Sequence, residues 1–404
     1  MKYVLLVGDG MADLPIDELN GITPLESLPL PAMAEVAGGA LGRLRSCPPG
    51  LPPGSDVAFL TLLGYDAREV YNGRSPLEAA GEQIALGEGD VSLRVNLITI
   101  DGDYPNGAMA SYNGSGIAGE DAAALMNALL GDAAFRKLMA RMDLSIHATE
   151  TFRHVAITRA EGDALFGLTP PHDFTGEMLV TYRPFGAYAD LFDAMQRRAF
   201  EVLNDHPVND ARRDKGLAPA NGIWFWGEGR ATVLEPFYEK YGVRGTVVSA
   251  VPLVRGIGWL CGLRAPRIPG ATGELDTNYA GKVEATLHAL SEGDDFALIH
   301  IEAPDDESHL GSLEGKLEAI RRIDAHVLRP LLDGLRASGE PFHLLLMPDH
   351  YTLLSTRTHD GSPVPYALYD SRDHGESRPF CERACAEEAV IEDGDLLMEK
   401  LFQA

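Results

Sequence analysis

Three runs of uninterrupted apolar residues stand out along the chain: YVLLV at 3–7, FALIHI at 296–301 and FHLLLM at 342–347. Turn residues follow each run, the pattern of strands buried on both faces of a parallel sheet. Between the last two, SLEGKLEAIRRIDAHVLRPLLDGLRASG at 312–339 spaces Leu313, Leu317, Ile320, Ile323, Val327, Leu331 and Leu335 at helical intervals and stops at Gly339. Strand, helix and strand make an α/β crossover. In such sheets ligands gather at the carboxyl ends of the strands.

The middle of the chain is patterned differently. VSLRVNLITIDGDY at 91–104 and HVAITRAEGDALFGL at 154–168 predict antiparallel hairpins, with helices around 120–141 and 188–203. Pro- and Gly-rich stretches, SCPPGLPPGSD at 46–56 and DHPVNDARRDKGLAPANG at 205–222, bracket this region. The expected organisation is an α/β core built from 1–71 and 237–404, interrupted by an inserted α+β domain at 72–236. No internal repeat is visible.

The 404 residues are 45% hydrophobic, enough for a large core and two domains. A formal net charge of −26 argues against general binding to nucleic acid or anionic membranes. An anionic substrate therefore needs a local arginine cluster that overcomes the global field. Four cysteines, Cys47, Cys261, Cys381 and Cys385, fit a reducing compartment. Cys381 and Cys385 in CERAC, one turn apart on an expected helix, lack the second pair that a metal site needs. MKYVLLVGDG has five apolar residues before its Gly-Asp-Gly turn, too few for a signal peptide or membrane helix, and no run of about 18 apolar residues occurs. A cytoplasmic protein without membrane or nucleic-acid partners is expected.

Each apolar run ends in acid. Asp9 follows the first, Asp305, Asp306 and His309 the second, and Asp349-His350 the third, with His359 shortly beyond. On a helical turn Asp305 and His309 share one face. Any one cluster reads equally as a solvated loop or a helix cap. Three at one edge of one sheet point instead to divalent metal. Mixed carboxylate and imidazole ligands suit Mn²⁺, Zn²⁺, Co²⁺ or Fe²⁺. Six such groups are too many for one closed site, and a pair of ions clamps the attacking and leaving oxygens of a phosphoryl displacement. His300, inside its apolar run, reads as a satisfied core residue.

PPGSDVAFLTLLGY at 52–65 places Ser55 just before an apolar helical pattern. The plain reading is an N-cap. The alternative is a nucleophile at a helix N-terminus, where free N–H groups stabilise an anion.

The segments VGDGMAD, PPGSDVA, NGRSPLEA, PGATGELDTNY, IEAPDDESH and MPDH…RTHD…PVPY resemble, in order and over nearly the whole chain, the archaeal-type 2,3-bisphosphoglycerate-independent phosphoglycerate mutases of the alkaline phosphatase superfamily. The resemblance implies an alkaline-phosphatase-like core sheet flanked by helices, two divalent ions and an inserted lid domain. One ion would be held by Asp9, Ser55, Asp349 and His350, the other by Asp305, His309 and His359. Mn²⁺ is the first choice, with Zn²⁺, Co²⁺ or Mg²⁺ as alternatives. Ser55 would take the phosphoryl group of a small phosphorylated substrate, phosphoglycerate, and return it to the other hydroxyl. Arg74, Arg153, Arg230 and Arg255 would hold phosphate and carboxylate, whose geometry matches the guanidinium fork.

Three positions depart from the family's usual residues. Gly116 in SYNGSGIAG stands where relatives carry His or Arg, and Tyr351 stands where they often carry Pro. Arg255 replaces a customary lysine. The Trp224-Phe225-Trp226 run reads as packing rather than a base-stacking platform. The rival activities are a homoserine kinase of the same family and a metal-dependent phosphatase, and a non-enzymatic metal-stabilised binding protein is the reading from another class.

Overall fold

The computed structural model describes residues 1–87, 89–159 and 166–403. The chain divides into two compact units. One comprises Met1–Tyr71, Ala80–Gln83 and Val233–Ala404, the other Asn72–Ala79 and Ile84–Thr232.

The first unit is built on a seven-stranded sheet. Its strand order is Val390–Ile391, Ala40–Leu44, Val364–Asp370, Phe342–Met347, Lys2–Gly8, Phe296–Ile301 and Gly245–Val248. The three apolar runs are the adjacent strands at its centre. Lys2–Gly8 pairs in parallel with both neighbours, Leu5 lying opposite Leu345 on one side and Leu298 on the other. Val4, Leu6, Ile299, Leu344 and Leu346 pack into one core with Val283, Leu290, Ile320, Val327 and Leu331 from the helices over that face. Leu5, Leu298 and Leu345 point the other way and are equally buried. Burial on both faces is why these strands are continuously apolar rather than alternating.

The expected crossover helix is present in three pieces: an α-helix Leu313–Arg322, a π-helical segment Ile323–Leu328 and an α-helix Arg329–Ala337. The Arg329 N–H reaches back five residues to the Asp324 carbonyl, immediately before Pro330, which has no N–H to continue the ordinary ladder. Cys381 and Cys385 are buried and free. Contrary to the helix expected there, CERAC forms a run of turns, with a single bond from the Cys385 N–H to the Cys381 carbonyl.

In the second unit the twelve-residue strand Asp90–Asp101 pairs antiparallel with Ala108–Ser111, Arg153–Arg159 and Gly222–Arg230. The first pairing is the expected hairpin. The return of the second expected hairpin falls partly on 160–165, outside the described residues. The helical stretch around 120–141 is two helices, Gly119–Gly131 and Ala133–Ala140, because the Asp132 carboxylate accepts the Phe135 N–H and caps the second one. Phe225 packs in one core of this unit, Trp224 and Trp226 in another, so the aromatic run is core.

Candidate metal centre

Sheet register brings the acidic ends together. Gly8 lies opposite Ile301, and the Asp9 N–H donates to the Ile301 carbonyl at 2.9 Å. From the neighbouring strand, Asp349 accepts the Gly10 N–H on Oδ1 at 3.1 Å. Asp305 and His309 lie one turn apart on the helix Ala303–Leu310, with His309 Nε2 3.2 Å from Asp305 Oδ2. Tyr351–Leu353 pairs antiparallel with Thr358–Asp360, placing Thr352 opposite His359. His359 Nε2 is 3.4 Å from Asp305 Oδ1 and 3.0 Å from His309 Nε2. Tyr351 is a buried residue of this short ladder.

Ser55 opens the helix Ser55–Leu62, but the N-cap position belongs to Gly54, and no side chain caps this helix. Its hydroxyl lies 3.1 Å from His350 Nε2 instead. The same nitrogen is 3.2 Å from Asp349 Oδ2 and 3.6 Å from Asp9 Oδ1. All seven candidate ligands, Asp9, Ser55, Asp305, His309, Asp349, His350 and His359, belong to the first unit and form two groups of contacts, joined where the His350 and His359 rings lie 4.2 Å apart between centroids.

The imidazoles are held in one sense. His309 Nδ1 bonds the Arg357 carbonyl at 2.9 Å and His359 Nδ1 the Pro53 carbonyl at 3.2 Å. His350 Nδ1 bonds Thr352 Oγ1 at 3.1 Å. In each neutral ring Nδ1 carries the proton and the Nε2 lone pair faces the carboxylates, as metal-ligating histidines require. His300 is arranged the other way. Its Nε2 lies 2.9 Å from Asp9 Oδ2 and its Nδ1 2.9 Å from Ser249 Oγ, which already accepts the Val251 N–H. A carboxylate only accepts, so His300 Nε2–H donates to Asp9, and Nδ1 of the neutral ring accepts from the Ser249 hydroxyl. His300 is a satisfied core residue, and what satisfies it is a candidate ligand.

Electrostatics favour a cation. Burial and the charges of Asp349 and Asp305 raise Asp9 well above the usual carboxylate range. Burial pushes Asp349 up to about 6. Burial would pull His309 down, but its bond and charge interaction with Asp305 lift it to about 9. Burial would raise Asp305 as well, yet His309 and His359 hold it well below the ordinary value. Burial keeps His350 and His300 neutral. Asp9 Oδ1 and Asp349 Oδ2 are buried with no hydrogen-bond partner among the described residues. Such orphaned anionic oxygens are costly unless paired or bound to metal.

The donor set fits divalent metal. Asp305, His309 and His359 offer ligand atoms mutually within 4.8 Å, and so do Asp9, Asp305 and His350. Asp305 stands in both groups, whereas the contacts of Asp349 run to His350 and Gly10.

Of the arginines, Arg255 lies in the first unit, bonded to the Ala250 carbonyl at 3.0 Å and paired with Glu82 at 3.3 Å. Arg74, Arg153 and Arg230 belong to the second unit. There Glu78 is buried among guanidinium groups: Arg74 Nε lies 3.0 Å from its Oε1 and Arg94 Nε 2.7 Å from its Oε2. Burial would raise Glu78, but the charges of Arg94, Arg74 and Arg153 hold it below the ordinary value. The Arg94 guanidinium sits 4.0 Å above the Trp226 ring. Arg94 lies inside the strand Asp90–Asp101, where no motif marks it as a functional arginine. Arg230 lies on the strand edge, 3.5 Å from the Gly89 carbonyl. Gly116 has a φ of 71°, with open space where a Cβ would stand.

Residues 37–209 match the family described as 2,3-bisphosphoglycerate-independent phosphoglycerate mutase. The protein of that name from Methanosarcina barkeri is 41% identical over 387 residues, 95% of this chain and 94% of the relative. A solved structure from Pyrococcus horikoshii superposes with a TM-score of 0.77 at 27% identity, covering 100% of this chain and 98% of that one. A cofactor-independent phosphoglycerate mutase from Thermoplasma acidophilum shares the fold, with a TM-score of 0.59 at 23% identity, covering 100% and 99%. The helix-flanked sheet is accordingly the alkaline-phosphatase-like α/β fold that the motifs imply.

Proposed function

The chain belongs to the 2,3-bisphosphoglycerate-independent phosphoglycerate mutases, and from that membership we propose that it interconverts 3-phosphoglycerate and 2-phosphoglycerate through a phosphoserine at Ser55. The observation that carries this reading is the position of the Ser55 hydroxyl. It stands 3.1 Å from His350 Nε2 and is not used as a cap.

Two divalent ions, Mn²⁺ by preference, would be held by Asp9, Ser55, Asp349 and His350 and by Asp305, His309 and His359. They supply positive charge that eases ionisation of a hydroxyl and neutralises phosphoryl oxygens. The protein's own part is orientation. Ser55 begins a helix that no side chain caps, and a helix N-terminus favours an anion. Its oxygen forms a bond to phosphorus as the bond to the 3-oxygen of the substrate breaks. The phosphoryl group then leaves Ser55 for the 2-hydroxyl of the same glycerate.

Retention of glycerate between the two transfers separates a mutase from a hydrolase. We assign that task to Arg74, Arg153, Arg230 and Arg255, with Asn72–Ala79 and Ile84–Thr232 as the inserted substrate-binding lid domain. Arg74 and Arg153 share Glu78 with Arg94, an excess of guanidinium over carboxylate that suits a doubly anionic ligand. No helix among the described residues is long and apolar enough to cross a membrane. Four free cysteines support a cytoplasmic setting.

The test supplies 3-phosphoglycerate and Mn²⁺ without bisphosphoglycerate and follows 2-phosphoglycerate, with homoserine and ATP in parallel. Appearance of 2-phosphoglycerate is expected. Phosphohomoserine alone, or free phosphate alone, would assign the site to a kinase or a phosphatase.

A further inference from the structure

Thr352 is fully buried and lies between the two groups of candidate ligands. Its Oγ1 is 2.6 Å from Asp305 Oδ1 and 3.1 Å from His350 Nδ1. An ionised carboxylate only accepts, so the hydroxyl proton goes to Asp305 and the oxygen accepts His350 Nδ1–H. One hydroxyl therefore fixes the rotamer of an aspartate in both groups. It also sets the tautomer of the histidine whose Nε2 faces Ser55, Asp349 and Asp9.

The hydroxyl is itself held in place. Lys316 is fully buried, and its ammonium donates to the Thr352 carbonyl at 2.7 Å, Asp13 Oδ2 at 2.8 Å and the Ala12 carbonyl at 3.3 Å. One cation thus ties together the loop after Asp9 and the short strand after His350, from the helix that follows His309. The Thr352 N–H adds a bond to the Ala12 carbonyl at 3.3 Å. A β-branched side chain on a paired strand has little χ1 freedom. On the other side, a Cβ built on Gly10 would meet Thr352 Oγ1 at 2.5 Å, so the backbone there leaves room for the hydroxyl and nothing more.

We infer that Thr352 is a positioning residue that aligns His350 and Asp305 together, so that one hydroxyl sets the metal affinity of both ligand groups. The inference rests on the two-ion reading, and its test needs no turnover, so it can fail while the mutase assignment stands.

Metal-stripped wild type, Thr352→Val and Thr352→Ser are titrated with Mn²⁺ in a calorimeter, and unfolding of the stripped proteins is recorded beside it. The valine variant keeps the shape and loses both bonds, so both binding steps should weaken by roughly 10- to 100-fold, the usual cost of an outer partner. Serine should restore affinity to within about 3-fold. A folded valine variant in which either step keeps wild-type affinity overturns the inference. If the valine variant does not fold, nitrogen NMR of stripped wild type decides. His350 carrying its proton on Nδ1 upholds the inference, and a proton on Nε2 overturns it.

Discussion

His309 Nε2 lies 3.0 Å from His359 Nε2, and each ring gives its other nitrogen to a backbone carbonyl. Two lone pairs face each other beside Asp305, an arrangement that only a proton or a cation between them stabilises. In chelated protein a proton can take that place, and burial would pull His309 down, but its bond to Asp305 and the charge of that carboxylate lift it to about 9. A folded value above the unfolded value of about 6.5 stabilises the chelated protein fully below that pH, and the contribution is lost as pH climbs through about 9. Melting temperature of the chelated protein should therefore fall between pH 6.5 and about 9.5 more than that of Mn²⁺-loaded protein. Metal must displace the His309 proton, so calorimetry near pH 7.5 in buffers of different ionisation enthalpy should show proton release. Chelation should abolish turnover and Mn²⁺ restore it. Release of no proton would show that His309 is not a ligand.

Gly10 has a φ of 62°, and a Cβ there would lie 2.9 Å from the Asp305 Cα as well as 2.5 Å from Thr352 Oγ1. Left-handed backbone costs a non-glycine residue about 1 kcal/mol or more, and crowding in a packed site about 1–3 kcal/mol more. Gly10→Ala should lower stability by about 2–4 kcal/mol in denaturant titrations. It should also weaken Mn²⁺ binding, because the backbone it pushes carries Asp305. Unchanged stability and affinity together would contradict the packing described.

The three strand ends were legible because burial on both faces demands an unbroken apolar run, and an acidic residue directly after such a run is conspicuous. Lys316 was also legible in principle. It lies three residues after Leu313 and four before Ile320, on the apolar face of its helix, where a lysine is fully buried only if paired. Thr352 carried no signal, since a threonine two residues after a histidine is ordinary and its importance comes from Asp305, far away in sequence. The same holds for Glu78 and its arginines, which meet only when a helix and two strands of the second unit pack. The π-helical segment escaped notice because its period of apolar positions hardly differs from that of an α-helix over six residues.

Gly116 has a φ of 71°, and a Cβ there meets nothing within 4 Å. Gly116→Arg should therefore fold, losing about 1–2 kcal/mol to the positive φ. An added guanidinium in the second unit should raise kcat/KM for 3-phosphoglycerate and lower the share of free phosphate released, if that unit holds glycerate as proposed. Steady-state assays with 2-phosphoglycerate and inorganic phosphate measured together read both quantities. No change in either would mean that position 116 lies away from the substrate in this chain.

Ser55 offers the most direct test of mechanism. Its side chain caps nothing, so Ser55→Ala removes one hydrogen bond, to His350, worth about 1 kcal/mol. The Asp and His ligands remain, and the variant should fold and still bind Mn²⁺, with a modest loss of affinity. Turnover should fall by at least about 1000-fold, since an alanine cannot carry a phosphoryl group, and protein quenched with labelled substrate should show no phosphoserine. Wild type treated the same way should carry label on the peptide that contains Ser55. The bland alternative, that Ser55 merely opens a helix, requires near wild-type turnover in the variant. A folded Ser55→Ala protein that turns over at that rate would end the phosphoserine mechanism.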